Sequence, residues 1–264
     1  MIHLRIDRVV RDAVRVSLAM AVGLAACGAV WLHATRVAGD PPVMRWVAWT
    51  LFGGGATAIL CVAMSGMFRP ANARTRLTSL GLPNLLTLAR FVLIAPTTVL
   101  LADARYPEAL VGYVGLFATD VADGIVARRR DLASDFGVVA DPLADVASTF
   151  AVFTVFVLHG LCPPWVYAVL CLRYAMLFVG SVGLFLASGP FTFQATVPGK
   201  IVGVVQAAGA SLVIGGAMVG GLDTLMERVL FAFLGIGFAS IVLSQVAIGW
   251  RLARRRASHS GSTR

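Results

Sequence analysis

Four aspartates, Asp120, Asp123, Asp141 and Asp145, lie in the stretch ATDVADGIVARRRDLASDFGVVADPLADVAS, between two apolar runs of a chain with only 13% charged residues. On a helix, Asp120 and Gly124 lie one turn apart, as do Asp123 and Ala127, while Gly137, Asp141 and Asp145 form an i, i+4, i+8 stripe. Two helices joined by the loop RRRDLASDF would aim these carboxylates at one shared space, with Gly124, Ala127 and Gly137 leaving room beside them. Carboxylates crowded at membrane depth must be protonated, paired or bound to cations. An oxygen-only donor set suits Mg²⁺ or Mn²⁺. Two such ions sharing the carboxylates would clamp a phosphate or diphosphate and stabilise both attacking and leaving oxygens. The structural alternative is pairing of the acids with Arg90, Arg128, Arg129 or Arg130.

The elements that must position these residues are membrane helices. Hydrophobic residues make up 58% of the 264 residues, and the apolar runs repeatedly reach the ~20 residues that cross a bilayer. Runs such as VLIAPTTVLL and STFAVFTVFVLHGL lack the polar outer face that a soluble helix would show. The expected fold is all-α and polytopic, with about eight transmembrane helices near residues 12–33, 44–67, 86–104, 107–127, 137–159, 163–187, 199–220 and 225–250. With the N-terminus inside, Arg5, Arg8, Arg11, Arg15, Arg69, Arg74, Arg76, Arg128 to Arg130, Lys200 and the tail arginines are all cytoplasmic. The outer side keeps only Arg36, Arg45, Arg105 and Arg228. This asymmetry places both termini and the aspartates on the cytoplasmic side.

The formal charge of +9 comes from short clusters beside the spans rather than from one basic face, so no nucleic-acid partner is expected. Cys27, Cys61, Cys162 and Cys171 show no CxxC spacing and read as small apolar residues. The first apolar run is long and follows a basic stretch, which argues against a cleaved signal. The Pro- and Arg-rich stretch 68–84 separates two N-terminal spans from six later ones, giving an extension over 1–81, a core over 82–252 and a disordered basic tail over 253–264. Gly53, Gly54 and Gly55 permit close helix contact, and the pairs Gly199 with Gly203 and Gly216 with Gly220 read as helix-packing positions. The two extra spans are assigned to packing, dimer contact or folding, and a homodimer is among the expected assemblies.

Read as a pattern, D-x2-D-G-x2-A-R-x8-G-x3-D-x3-D, carried by Asp120, Asp123, Gly124, Ala127, Arg128, Gly137, Asp141 and Asp145, resembles the signature of the CDP-alcohol phosphotransferase family. LPNLLTLAR, with Asn84, Thr87 and Arg90, resembles that family's first core helix, and PGKIVGVVQ, with Lys200, its glycine-lysine helix start. The resemblance covers roughly residues 82–250 and leaves the first two spans outside it. DFGVVADPLADV is closest to phosphatidylglycerophosphate synthase-type members.

The resemblance implies a membrane enzyme that moves a phosphatidyl group from CDP-diacylglycerol to a hydroxyl acceptor and releases CMP. It implies two Mg²⁺ or Mn²⁺ ions on Asp120, Asp123 and Asp141, with Asp145 completing the second site or acting as base. Asn84, Thr87, Gly124, Ala127, Arg128 and Gly137 would bind the CDP donor, and Arg173, Lys200 and Arg90 are the acceptor-binding candidates. Glycerol 3-phosphate is the first-choice acceptor, with inositol phosphate, serine, another phosphatidyl-bearing lipid or a polyol as alternatives. Arg173 could instead pair with an aspartate, and Tyr174 stands where the synthases tend to carry Glu. The implied location is a bacterial inner or plasma membrane. A different class of function, a cation or proton transporter using the aspartates, would need polar residues continuing to the outer side. EALVGYVGLF and FAVFTVFVLHG offer almost none.

Overall fold

The computed structural model describes residues 2–34, 43–68, 81–130, 134–188, 197–221, 224, 226–240 and 243, without side chains at 2–7, 31–34, 43, 123–130, 180–188 and 197–201. Their regular elements are all helices: α1 (Ile2–Ala34), α2 (Val43–Ala63), a 3₁₀ turn (Ser65–Met67), α3 (Leu82–Ala102), α4 (Tyr106–Arg130), α5 (Asp135–Leu158), α6 (Pro164–Ser188) and α7 (Val197–Met218). A further helix, α8, runs over 226–240. The expected all-α membrane fold is therefore what forms among the described residues. Among the described residues, four helices are long and apolar enough to cross a bilayer: Arg8–Val30, Met44–Ala63, Leu82–Ala102 and Asp135–Leu158. Pro164–Val179 and Val202–Met218 are shorter apolar helices.

Helix ends depart from the hydropathy limits for local reasons. α3 starts at Leu82 rather than 86, because Gly81 takes φ 72° and Pro83 sits in the first turn, where its missing N–H costs nothing. α1 begins at Ile2, since the basic segment before the apolar run continues the same backbone hydrogen bonding.

The chain forms two compact units, Met1–Val155 and Phe156–Arg264. In the first, α1, α2 and α3 pack on one another and α4 packs on α3. One buried cluster joins Val9 and Ala13 of α1, Cys61 of α2, Met64, Phe68, Leu88 of α3, and Phe136 and Ala140 of α5. Phe68 and Phe136 stack there with centroids 4.3 Å apart. The N-terminal helices thus lean directly on α3. The glycine run works as expected: a Cβ on Gly54 would collide with Ala21 of α1, and one on Gly53 would come within 3.0 Å of the Ala95 Cβ of α3. Two arginines expected on the outer side are matched by acids, Arg45 by Asp103 and Arg105 by Glu108.

In the second unit, close approaches fall on Gly209 and Gly235, while Gly199 lies outside the described side chains. Gly209 of α7 faces Leu234 of α8, and Gly235 of α8 faces Trp165 of α6. A Cβ on Gly203 would meet open space among the described residues, and Gly220 takes φ 91° beyond the end of α7. The Gly221 N–H returns to the Gly216 carbonyl at 2.9 Å, so Gly216 and Gly220 serve the helix end. Cys162, in the turn between α5 and α6, is buried, and burial together with neighbouring Glu227 pushes its thiol up to about 12. It behaves as the small apolar residue expected.

Gly54→Ala should push α1 and α2 apart and lower stability by about 1–3 kcal/mol. Gly55→Ala, whose added methyl would meet nothing within 4 Å, should be neutral or slightly stabilising. Thermal unfolding of both variants in detergent checks the pair.

Candidate active site

One face of α3 gathers the acidic helices. Asn84, Thr87 and Arg90 follow at intervals of three residues, and all are buried. Arg90 reaches toward both α4 and α5: its Nη1 lies 2.8 Å from Asp120 Oδ1, and its Nη2 lies 3.9 Å from Asp141 Oδ1. The arginine side chain is 2% exposed, whereas Asp120 and Asp141 are 49% and 39% exposed. A buried guanidinium therefore anchors two carboxylates that open outward. The Thr87 hydroxyl lies 2.7 Å from Asp141 Oδ1 and 3.1 Å from the Pro83 carbonyl. It has one proton for two acceptors, and the shorter contact is to the carboxylate.

Asn84 secures the start of α5. Ser134 donates its hydroxyl to Asn84 Oδ1 at 2.6 Å, while Ser134 Oγ accepts the Gly137 N–H at 3.1 Å. Ser134 is thus the N-cap of α5, satisfying a donor that the helix start leaves over. It is a site residue that spacing arguments passed over, although a serine directly before the helical run, three residues ahead of Gly137, carries the capping signal. A Cβ on Gly137 would lie 3.4 Å from Ser134 Oγ, 3.5 Å from Asn84 Oδ1 and 3.9 Å from Asp141 Oδ2. Gly137 thus brings the α5 backbone alongside Asn84 and Asp141, with a Cβ at ordinary contact distance from both.

Of the four aspartates, the structure brings Asp120 and Asp141 together through the shared guanidinium. Asp145 is exposed one turn beyond Asp141 on α5. Asp123, Gly124, Ala127 and Arg128 lie on α4, and Lys200 on α7, outside the described side chains. Among the described residues no group of three or more His, Cys, Asp or Glu gathers to hold a metal. The described donors are nevertheless all oxygen, two of them carboxylates already sharing a positive charge, and this chemistry fits a hard divalent cation. Arg90, one of the acceptor-binding candidates, is buried and pairs with the Asp120 and Asp141 carboxylates, because a guanidinium at this depth needs counter-charge.

In the second unit, Arg173 Nη1 donates to Gln206 Oε1 at 2.8 Å. Its guanidinium carbon lies 5.0 Å from the Tyr174 ring centroid and 5.5 Å from that of Phe238. The described partners of Arg173 are neutral, and none is an aspartate.

The family model described as CDP-alcohol phosphatidyltransferase matches residues 80–248. The chain belongs to the CDP-alcohol phosphatidyltransferase family. It is therefore a transferase, and the transporter reading of the aspartates is set aside. The match begins after α1 and α2 and takes in the whole Asn84–Thr87–Arg90 face and all four aspartates. The chain is 30% identical over 186 residues to the CDP-diacylglycerol–glycerol-3-phosphate 3-phosphatidyltransferase of Bacillus subtilis, covering 64% of this chain and 92% of that protein. It is 32% identical over 124 residues to the protein of that name from Aquifex aeolicus, covering 46% and 68%. A putative cardiolipin synthase of Mycobacterium tuberculosis is 29% identical over 176 residues, covering 65% and 78%. No solved structure matches significantly.

Arg90→Gln, which strands two carboxylates, should cost about 3 kcal/mol. The double variant Arg90→Gln/Asp120→Asn should recover about 1 kcal/mol of that loss. Unfolding midpoints of the two single variants and the double variant give the coupling, and strict additivity would remove the Arg90–Asp120 pairing.

Proposed function

We propose that this family member transfers the phosphatidyl group of CDP-diacylglycerol to a hydroxyl of glycerol 3-phosphate, releasing CMP. The observation that carries the reading is the convergence of Asp120 and Asp141 on Arg90, with Thr87 also on Asp141, beside Gly137. The likeness to two proteins named for that reaction supports the choice of acceptor.

In this reading Asp120, Asp123, Asp141 and Asp145 hold the cations. Mg²⁺ or Mn²⁺ bound there supplies charge neutralisation for the diphosphate and for the departing CMP phosphate. Arg90 and Thr87 keep the Asp120 and Asp141 carboxylates oriented before the donor arrives. Asn84, Thr87, Gly124, Ala127, Arg128 and Gly137 receive the CDP portion, where missing or small side chains let the nucleotide approach the backbone. Asp145, exposed on α5, takes the proton of the acceptor hydroxyl. The acceptor oxygen then bonds to the lipid-side phosphorus as the bond to the CMP phosphate oxygen breaks, roughly in line. Arg173 and Lys200 supply positive charge on the acceptor side. Residues 82–252 constitute the catalytic core, 1–81 a supporting extension and 253–264 a basic tail. The clustering of basic residues supports a site and both termini on the cytoplasmic side.

A second reading keeps the chemistry and changes the acceptor to a phosphatidyl-bearing lipid. It is favoured by the mycobacterial relatives named putative cardiolipin synthase and by Tyr174 in place of the synthases' Glu.

CMP release by the purified protein with CDP-diacylglycerol and Mg²⁺ should depend on glycerol 3-phosphate in a panel that also holds inositol 1-phosphate, inositol, serine and phosphatidylglycerol. Dependence on phosphatidylglycerol alone would select the second reading. Chelation should abolish release, and added Mg²⁺ or Mn²⁺ should restore it; activity that survives chelation would remove the metal from the scheme. Asp120→Asn or Asp141→Asn should lower turnover by at least about a thousandfold with the fold retained, since each removes a charge needed at the diphosphate. Wild-type rates in either variant would overturn the assignment.

A further inference from the structure

Membrane arginines are ordinarily matched by acids, and three of this chain's arginines follow that rule. Arg90 meets Asp120 and Asp141, Arg45 meets Asp103, and Arg105 meets Glu108. Arg173 does not follow it. Among the described residues its partners are an amide oxygen and two aromatic rings, drawn from three helices: Tyr174 of α6, Gln206 of α7 and Phe238 of α8. All three partners are buried, with Gln206 only 5% exposed, so the guanidinium is fixed from several sides while its own side chain stays partly open. The fixing groups are all neutral. Arginine does not deprotonate in proteins, so the site keeps a full positive charge that no described group cancels.

We infer that Gln206 determines the charge of the acceptor: it clamps Arg173 in place without neutralising it, so that the guanidinium selects an acceptor carrying a phosphate-ester anion. The inference rests on the reading of Arg173 as an acceptor-side residue and extends it to a residue six positions beyond Lys200 on α7. The geometry suits the task. Gln206 occupies one N–H of the guanidinium, the rings lie within cation–π range, and further in-plane donors are of the kind that take two phosphate oxygens at once. A carboxylate at position 206 would have nearly the same shape and would cancel the charge. The amide is therefore the choice that leaves the guanidinium needing an anion.

The test is a charge switch at constant shape, made in the full-length protein in nanodiscs. Gln206→Glu should raise the KM for the phosphate-bearing acceptor by at least about tenfold, as expected for loss of a charge-assisted contact. The KM for CDP-diacylglycerol should stay near its wild-type value. Gln206→Met, similar in size and neutral, gives up the hydrogen bond to Arg173 but leaves its charge, and should raise the acceptor KM by only about threefold. Equal effects of Glu and Met, or an unchanged acceptor KM in the Glu variant, would overturn the inference. Gln206→Asp replaces the glutamate variant if that variant does not fold. Parallel arms with glycerol 3-phosphate and with phosphatidylglycerol distinguish a soluble phosphate ester from a lipid one. Calorimetric titration of glycerol 3-phosphate and of inorganic phosphate without donor separates this inference from the functional reading. If no acceptor supports CMP release, the functional reading falls; phosphate binding weakened at least about tenfold by Gln206→Glu would still sustain the clamp. Absent or unaltered phosphate binding would overturn it.

Discussion

A single buried guanidinium organises the first unit. Arg90 lies inside a membrane-spanning helix, and among the described residues Asp120 from α4 and Asp141 from α5 turn toward its buried charge. This requirement ties three helices to one point and makes α3 the floor of the site. Buried ion pairs add little net stability compared with apolar packing, but breaking one is costly. Its contribution here is arrangement. The carboxylates are held from beneath while they remain partly open to their surroundings, which is the disposition a phosphate-handling site needs.

The two helices before the family match take on a role from the same constraint. α1 and α2 lie outside residues 80–248 but pack against α3, with Gly54 nested on Ala21 and Gly53 on Ala95. The buried cluster from Val9 to Ala140 continues through them to the first turns of α5. They buttress α3, so an extension without clustered charge of its own still bears on how firmly Arg90 is held.

The residue pattern made much of this legible and left a definable remainder. Hydropathy separates eight helical stretches because bilayer length is a coarse ruler, and the aspartate spacing points to the family because the chemistry demands those residue types at those turns. Which residue answers which across helices is not encoded in spacing. Asn84, Thr87 and Arg90 could be picked out individually, yet their joint role as one face appears only when α4 and α5 are placed on them. Ser134 was readable as a cap and not as a partner of Asn84. The glycines of α7 show the same limit: small-residue spacing marks where a helix could be approached, whereas Gly209 rather than Gly203 is where one is. Arg173 with Gln206 is likewise a tertiary pairing, 33 residues apart in the chain.

Pro142 directly follows Asp141 inside α5. Proline has no N–H to return to the carbonyl four residues earlier, so Val138, between Gly137 and Asp141, loses its ordinary helical donor. In hydrocarbon such a carbonyl would cost several kcal/mol. The turn bearing Asp141 therefore holds a carbonyl that α5 itself does not satisfy and that another group must meet, as at Pro96 of α3. The proline thus places, one turn before the acidic stretch of α5, a backbone acceptor that the helix leaves for another partner.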